Sequence, residues 1–390
     1  MHNGDPTDAA DDVYAPKTRR LGPAGFSELR RYPSRTTVSK GRSMSPNTRT
    51  AAHRALAVIA AAGLAVSVSA CSSGATDGGA AAPVVGYSAP FLTAQFEVVL
   101  QDQTTALLGD KGFDLLAPTN ADSDSGQQIT DVHDLISQGA KGLIVVANDS
   151  KAIIPALDYA KSQKVPVVTI DIGPDGGNVY AIVRTDNVGM GEIACKAMAD
   201  AIGEKGTVLS LMGAQTSING RERSDGFREC MKGYPDITLL EEPTDWDAAK
   251  QAAALQTTLD ANPDLAGVFQ QSDYALSATL NVLTQAGRDA KVGEAGHIFN
   301  ISIDATPQAL QLVRDGALDA AISQPLDGYA KYGVQYLQDA LDGKQLKVGK
   351  TDHGSEIVEF NGNMMDLLPA TLVTKDNVDD KALWGNQAKG

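Results

Sequence analysis

The sequence contains little cysteine, tryptophan or histidine. It has three cysteines, two tryptophans and five histidines among 390 residues, and aromatic residues make up 5% of the chain. So few cysteines exclude a small fold held by several disulfides, and no Cys-x-x-Cys, His-Glu-x-x-His or Gly-x-Ser-x-Gly pattern occurs. The histidines His133, His297 and His353 are scattered, without the spacing of metal ligands. We therefore expect no metal site and no cofactor.

Basic residues are also scarce. The chain has 33 Lys and Arg against 48 Asp and Glu, a formal net charge of -15. All of the acidic excess lies after residue 70, where 23 basic and 43 acidic residues remain. A surface of this sign repels nucleic acid and anionic lipid headgroups, so neither is an expected partner.

Long apolar runs are missing as well. The longest, "ALAVIAAAGLAVSVSA" at residues 55–70, is shorter than the roughly 20 residues of a membrane-spanning helix. It follows Arg49 and Arg54 and ends in small residues, a pattern typical of a secretory signal peptide. The closing residues Val-Ser-Ala-Cys resemble the lipobox of bacterial lipoproteins. That resemblance implies cleavage before Cys71, lipidation of its thiol and attachment to the membrane by the lipid alone.

The segment before this signal has no apolar periodicity. Residues 1–43 carry charges of both signs, and their two Arg pairs lie too far upstream for a twin-arginine signal. We expect Met44 to be the true start, residues 44–70 to be the signal peptide, and residues 71–82 to be a flexible tether. Residues 1–43 are then a non-structural upstream segment. It is either a translated region upstream of the true start codon or a disordered tail.

From residue 83 onward, short apolar runs alternate with amphipathic segments. Runs such as "GLIVVA", "VPVVTID" and "FNISID" have the continuous hydrophobicity of parallel strands that are buried on both faces. About ten such strands with helices between them are too many for one compact doubly wound sheet and lack the regular closure of a barrel. The pattern predicts an α/β fold of two doubly wound parallel-sheet lobes joined by a three-crossover hinge.

The crossovers are predicted near Thr185, Gln324 and Ala370. The first lobe would combine residues 83–185 with 325–369, and the second would combine residues 186–324 with 370–390. Several hinge segments allow two lobes to close with little strain in any one residue.

Parallel sheets bind ligands beyond the carboxyl ends of their strands, so the residues just after each apolar run are the candidates for a site. Carboxylates accept hydrogen bonds from hydroxyl groups, Arg donates in a planar fork, and an aromatic face covers the apolar face of a sugar. Any one of these residues alone is more typical of a helix cap or a solvated surface. Together they predict a carbohydrate site. The residues are Phe91, Phe96, Asp171, Asn219, Arg221, Trp246, Ser272, Asp273, Asp304 and Gln324.

Between residues 83 and about 377, the chain resembles the ribose-type (type I) periplasmic sugar-binding proteins of ABC transporters. The motifs, in order, are "NVGMGEIA", "NGRERSDGF", "PTDWDAAK", "NPDLAGVFQQSDYAL", "IDATP" and "AISQPLDGYAKYGV". By position, the resemblance implies ligand contacts at Asp171, Arg221, Trp246, Asp304 and Gln324. It also implies a monomeric, extracytoplasmic receptor without enzymatic activity, which captures a sugar or sugar alcohol and delivers it to an ABC permease and its ATPase.

The chain departs from the ribose-type pattern at three places. Ile172 stands where that pattern has Arg, Ser272 stands where it has Asn, and the loop "APFLTAQFE" lacks its Asn-Pro-Phe-Phe. An isoleucine in place of a guanidinium removes up to five hydrogen-bond donors. We therefore expect a ligand other than ribose, such as a deoxy sugar or a linear polyol.

Two cysteines remain after lipidation of Cys71, and both lie in helical patterns. Because exported proteins meet an oxidising environment, Cys195 and Cys230 are expected either to form a disulfide or to remain as two buried thiols.

Two other functions are compatible with the same lobes. One is a receptor for a small-diol signal of the autoinducer type. The other is a glycoside hydrolase that uses Asp171 and Asp304 as its carboxylate pair.

Overall fold

The fold consists of strands that alternate with helices along most of the chain. A computed structural model describes residues 81–388. The strands are β1 (Val84–Ala89), β2 (Asp114–Leu115), β3 (Thr119–Asn120), β4 (Gly142–Val145), β5 (Val167–Ile170), β6 (Ala181–Thr185), β7 (Gly206–Met212), β8 (Ile237–Pro243), β9 (Leu265–Gln270), β10 (Phe299–Asp304), β11 (Ala320–Ser323), β12 (Gly349–Lys350), β13 (Glu356–Phe360), β14 (Asn363–Leu368) and β15 (Thr371–Val373). The helices are α1 (Gln95–Asp110), α2 (Ser125–Ser137), α3 (Ile154–Ser162), α4 (Asn187–Ile202), α5 (Ile218–Met231), α6 (Ala248–Ala261), α7 (Leu276–Gln285), α8 (Pro307–Asp315), α9 (Leu326–Leu341) and α10 (Trp384–Gln387), with a 3-10 turn at Asp273–Ala275.

The strands form two separate sheets, one in each lobe. The first has the order β12-β13-β14-β6-β5-β4-β1-β2, with β3 also paired to β1, and the second has the order β15-β11-β10-β9-β7-β8. The neighbouring pairs from β14 to β2, and those from β11 to β8, are all parallel. The predicted fold of two parallel-sheet α/β lobes is therefore confirmed.

The antiparallel strands near the C-terminus are missing from the sequence prediction. Strands β12, β13 and β14 pair antiparallel at one edge of the first sheet, and β15 pairs antiparallel with β11 in the second. Both sheets are therefore mixed. These strands are short or only partly buried, so they lack the long apolar runs that mark the central strands.

The central strands are buried along their whole length because helices cover both faces of each sheet. All four residues of β4, all four of β5 and all six of β10 are buried. Each fully buried Val, Leu or Ile side chain contributes roughly 1.5–3 kcal/mol through removal of apolar surface from water. This burial holds the strand ends, and the loops that follow them, in fixed positions.

The chain crosses between the lobes three times, and one tyrosine contacts two of the crossings. The chain leaves the first sheet after Thr185, returns after Ser323 and leaves again after Leu368. The Tyr329 hydroxyl accepts a hydrogen bond from Thr185 N at 3.0 Å and donates one to Gln324 Oε1 at 3.1 Å. Thr185 Oγ1 also donates to the Leu368 carbonyl at 2.7 Å. The three crossings therefore share one hydrogen-bond network.

Helices α4 and α5 of the second lobe pack with their backbones in contact. A Cβ on Gly191 would lie 2.4 Å from the carbonyl oxygen of Arg223, and one on Gly226 would lie 2.1 Å from that of Val188. Glycine is needed at both positions because any side chain would collide with backbone. A disulfide between Cys195 and Cys230 joins the same two helices.

Several predictions concern residues outside the part of the chain that the structure describes. They are the upstream segment 1–43, the signal peptide 44–70 and its start at Met44, and lipidated Cys71 with most of its tether. Within residues 81–388, none of the helices combines the length and the apolar character that a membrane span requires.

Candidate ligand-binding site

A cavity lies between the two lobes, at the carboxyl ends of both sheets. Together with the open solvent at its mouth, it contains about 450 Å³ of space that no protein atom occupies. Its wall is formed by the loop after β1 and the start of α1 on one side, and by residues that follow β8, β9 and β10 on the other. The lining residues are Phe91, Thr93, Ala94, Phe96, Glu97, Asp171, Ile172, Asn219, Arg223, Trp246, Ser272, Tyr274, Asp304 and Gln324.

Most of the residues predicted from the sequence lie together in this wall. They are Phe91, Phe96, Asp171, Ile172, Asn219, Trp246, Ser272, Asp304 and Gln324. Arg221 and Asp273 are absent from it. Glu97, Arg223 and Tyr274, together with Thr93 and Ala94, line the cavity without having been predicted as site residues.

Three of the lining residues have left-handed backbone conformations. The φ angle is 57° at Asp171, 57° at Trp246 and 114° at Asp304. Such conformations cost on the order of 1 kcal/mol or more for residues other than glycine, and they occur most often at functional sites. Each turns the chain sharply at a strand end and so directs a side chain into the cavity.

Asp171 is a buried carboxylate that contacts the opposite lobe. Its Oδ1 accepts a hydrogen bond of 3.1 Å from Asn219 Nδ2, at the start of α5. Burial raises the pKa of Asp171 to about 6, and nearby Asp304 adds to that rise, whereas Arg223 and Arg184 oppose it. Asp171 is therefore largely ionised at neutral pH and accepts hydrogen bonds from donors in the cavity.

Asp304 closes β10 and is held by three donors. Its Oδ2 accepts from Ser272 Oγ at 2.6 Å and from Asp273 N at 3.0 Å, and its Oδ1 accepts from Gln324 Nε2 at 2.7 Å. Burial raises its pKa, and these donors together with Arg223 oppose the rise. Ser272 and Gln324 therefore orient the carboxylate as well as line the cavity.

The arginine that lines the cavity is Arg223, whereas the predicted Arg221 lies outside the lining. Arg223 is buried and donates from Nε to Asn187 Oδ1 at 2.8 Å and from Nη1 to the Gln271 carbonyl at 2.6 Å. Arg221 is half-buried and instead forms an ion pair with Asp175 of the other lobe. Residues four apart share a helix face whereas residues two apart do not, so Asn219 and Arg223 face the cavity together.

Trp246 forms one aromatic surface of the cavity. Its indole lies against Gly213, where a Cβ would be 1.8 Å from Trp246 Cη2, and it meets Tyr274 edge-on with ring centroids 5.9 Å apart. The guanidinium carbon of Arg223 lies 5.9 Å from the indole centroid. Trp246 Nε1 is buried without a hydrogen-bond partner within residues 81–388. The indole therefore offers both an apolar face and an N–H donor to a ligand.

The two phenylalanines of the site differ in their surroundings. Phe96 is buried and packs edge-on against Tyr329 and Trp384, with ring centroids 6.4 and 5.6 Å apart. Its ring is therefore mainly part of the first lobe's core. Phe91 is half-buried in the loop after β1. Ile172 is buried beside Asp171 and adds an apolar surface without a donor.

Glu97 is the acidic residue that sequence reasoning missed. It lies in the first turn of α1 and is only 4% exposed. Its pKa is raised well above the ordinary value, first by burial and then by the negative charge of the neighbouring Asp171 carboxyl. The available signal was its place directly after Phe96, in a helix that starts near the carboxyl end of β1.

The arrangement suits an uncharged ligand with several hydroxyl groups. Carboxylates, amides and a guanidinium supply acceptors and donors on both lobes, and Trp246 supplies an apolar face. Within residues 81–388, no cluster of three His, Cys, Asp or Glu residues has the geometry of a metal site.

Comparison with known proteins gives a match over most of the chain. The periplasmic binding protein domain matches residues 85–345. The chain belongs to this family. The ribose import binding protein of Bacillus subtilis is 30% identical over 263 residues, which are 67% of this chain and 83% of that protein.

Two further similar proteins come from mycobacteria. The xylitol-binding protein of Mycolicibacterium smegmatis is 24% identical over 298 residues, covering 74% of this chain and 79% of the relative. A solved structure of an ABC transporter solute binding protein from Mycobacterium smegmatis, with bound glycerol, superimposes with a TM-score of 0.67. It is 27% identical and covers 76% of this chain and 96% of that one.

The two lobes of this periplasmic binding protein contact each other directly beside the cavity. Ser150 Oγ of the first lobe accepts a hydrogen bond of 2.9 Å from Ile218 N of the second. Arg184 of the first lobe pairs with Glu222 on α5, and Asp175 pairs with Arg221. The lobes therefore lie in a closed arrangement, in which a ligand would be contacted from both sides.

Proposed function

We propose that this protein is an extracytoplasmic, lipid-anchored receptor that binds a sugar alcohol between its lobes and delivers it to an ABC importer. The observation that carries the proposal is the cavity itself, in which Asp171 and Glu97 of one lobe face Arg223, Trp246 and Asp304 of the other. The names of the relatives support it, because they describe binding of ribose and xylitol and a structure with bound glycerol.

A linear polyol is the ligand class that we favour within the sugars and sugar alcohols. Ile172 provides an apolar wall beside Asp171, at a place where a guanidinium would satisfy the oxygens of a pentose ring. Of the aromatic residues predicted to cover a sugar face, Phe96 packs mainly against the core residues Tyr329 and Trp384. A flexible chain of hydroxyl groups needs one apolar face and many hydrogen bonds, and Trp246 with the carboxylates supplies both.

The mechanism requires no chemical step. A ligand that contacts both lobes binds the closed arrangement more tightly than the open one, so it shifts the population toward closure by that difference in affinity. The hinge at the three crossovers carries the motion. An ABC permease then recognises the closed shape and receives the ligand.

The test is a binding screen on the mature protein with linear polyols, pentoses, hexoses and glycosides. We expect melting shifts and calorimetric binding with polyols such as xylitol or ribitol, and recovery of the ligand unchanged. Hydrolysis of a glycoside would contradict the proposal in favour of an enzyme. Binding of a small furanosyl diol in place of every polyol would favour a signal receptor.

The anchor is tested separately at Cys71. Cys71→Ser should leave the signal uncleaved by the lipoprotein peptidase or release the protein from the membrane fraction. A lipidated mass that is unchanged in this variant would contradict lipid anchoring.

A further inference from the structure

Glu97 is a buried acid with almost no partners of its own. It is 4% exposed and lines the cavity from the first turn of α1. Its Oε2 has no hydrogen-bond partner within residues 81–388, and the Asp171 carboxyl is the neighbouring group that most affects its charge. A buried oxygen without a donor loses free energy, which an incoming hydroxyl group would restore.

The surrounding charges require a proton in this carboxyl pair. Two carboxyl groups form a hydrogen bond to each other only when one of them is protonated. Burial together with the negative charge of Asp171 raises the pKa of Glu97 well above its ordinary value, which favours the proton on Glu97 over Asp171. The titratable and charged groups around the pair are Tyr87 on β1, Arg184 on β6, Asp304 at the end of β10, Arg223 on α5 and Tyr329 on α9.

We propose that Glu97 is a specificity-determining residue that accepts a hydrogen bond from a ligand hydroxyl while its own O–H donates to Asp171. The inference rests on the proposed function and narrows the ligand class. Glu97 belongs to the first lobe and Trp246 to the second, so a ligand between them has an apolar face toward one wall and a hydroxyl toward the other. A sugar ring held between two aromatic faces would present C–H groups to both walls and would leave Glu97 without a partner.

The proton makes binding dependent on pH. Once Glu97 ionises, a second negative charge lies beside Asp171, with Arg223 the nearby cation of the cavity wall. Repulsion then separates the two carboxyl groups and disturbs the position of both oxygens. Affinity therefore falls as pH rises through the pKa of Glu97.

The experiment measures calorimetric affinity for xylitol, ribitol, glycerol and D-ribose at pH 6 and pH 9. The variants are Glu97→Gln, which keeps a neutral donor and acceptor, Glu97→Leu, which removes both, and the exposed Glu242→Gln as the matched control. For the tightest probe, we expect Glu97→Leu to weaken binding by about tenfold to a hundredfold, the value of one buried hydrogen bond. Glu97→Gln should stay within about threefold of wild type at pH 6. It should also keep its affinity over the pH range in which wild type and Glu242→Gln lose theirs.

Each contrary result has a separate meaning. If wild type binds a probe and Glu97→Leu binds it equally well, the inference is overturned and the proposed function stands. If Glu97→Leu does not fold, an affinity profile of Glu97→Gln that falls with pH as in wild type overturns the inference instead. If wild type binds none of the four probes or any other polyol or sugar, the proposed function fails and this inference fails with it.

Discussion

Gln324 donates a hydrogen bond of 2.7 Å from its Nε2 to Oδ1 of Asp304. Gln324 lies at the second crossover between the lobes, and Asp304 provides a carboxylate of the cavity wall. Because Gln324 Oε1 also accepts from Tyr329, the hinge network and the site share a side chain. A change at the hinge is therefore expected to affect binding as well as stability.

Tyr329→Phe tests this connection. The variant removes the acceptor of Thr185 N and the donor to Gln324, both in a fully buried region, so we expect a loss of about 1–3 kcal/mol in unfolding free energy. Affinity for the tightest polyol should fall by about threefold to tenfold because Gln324 loses its orientation. Urea unfolding and calorimetry measure the two effects, with the more exposed Tyr332→Phe as control. Unchanged affinity would restrict Tyr329 to a folding role.

The two arginines of "NGRERSDGF" form a matched pair for mutation. Arg223→Ala removes the buried guanidinium beside Asp171 and Asp304, and we expect affinity to fall by about a hundredfold or more. Arg221→Ala removes a half-buried ion pair, which is worth about 0–1 kcal/mol, and a hydrogen bond to the Gln215 carbonyl, so affinity should change by about fivefold at most. Calorimetry on both variants decides the assignment. A larger loss in Arg221→Ala would return that residue to the site.

Trp246→Ala should weaken ligand binding by about tenfold to a hundredfold, because a stacked indole contributes on the order of 1–3 kcal/mol. The ligand-induced change in tryptophan fluorescence should disappear, while emission from Trp384, which is buried in the core, remains. The melting temperature of the ligand-free protein should change little because the indole is only half-buried. A large loss of stability with unaltered affinity would contradict a binding role.

Asp273 gives a prediction about pH. Burial, followed by the charge of Asp304, raises its pKa from 3.8 to about 8. The native state therefore binds this proton more tightly than the unfolded state, so the resulting stability is full below pH 3.8 and is lost as pH rises toward 8. Asp273→Asn removes that loss.

The variant should have about the same unfolding free energy as wild type at pH 4 and exceed it by about 1–3 kcal/mol at pH 7. Urea unfolding at both pH values measures the difference, and the exposed Asp264→Asn serves as control. An equal pH dependence in Asp273→Asn and wild type would show that Asp273 ionises normally.

The central strands could be predicted because a strand that is buried on both faces of its sheet has a continuous run of apolar residues in the sequence. Strands β4, β5 and β10 are continuous buried segments, and the residues after β5 and β10 lead directly to Asp171 and Asp304. The hairpin of β13 and β14 escaped prediction because it packs at a sheet edge and is less uniformly apolar. Its turn at Asn361 and Gly362, with φ of 48° and 82°, was the available signal.

The site was less predictable wherever it depends on the rotation of a helix. The motif contains two arginines, and only the periodicity from Asn219 distinguishes Arg223, four residues on, from Arg221. Glu97 depends on where α1 begins and on the depth of its first turn. These properties depend on the tertiary structure, and they cannot be predicted by looking only at the residues that follow each strand.

The tight packing of α4 against α5 has a mechanical consequence. Helix α4 starts two residues after Thr185, at the first crossover, and α5 carries Asn219 and Arg223. The glycine contacts and the Cys195–Cys230 bond prevent the two helices from sliding past each other. A rotation of the backbone at Thr185 therefore moves Asn219 and Arg223 together. The rigid helix pair transmits the hinge motion to the cavity between the lobes.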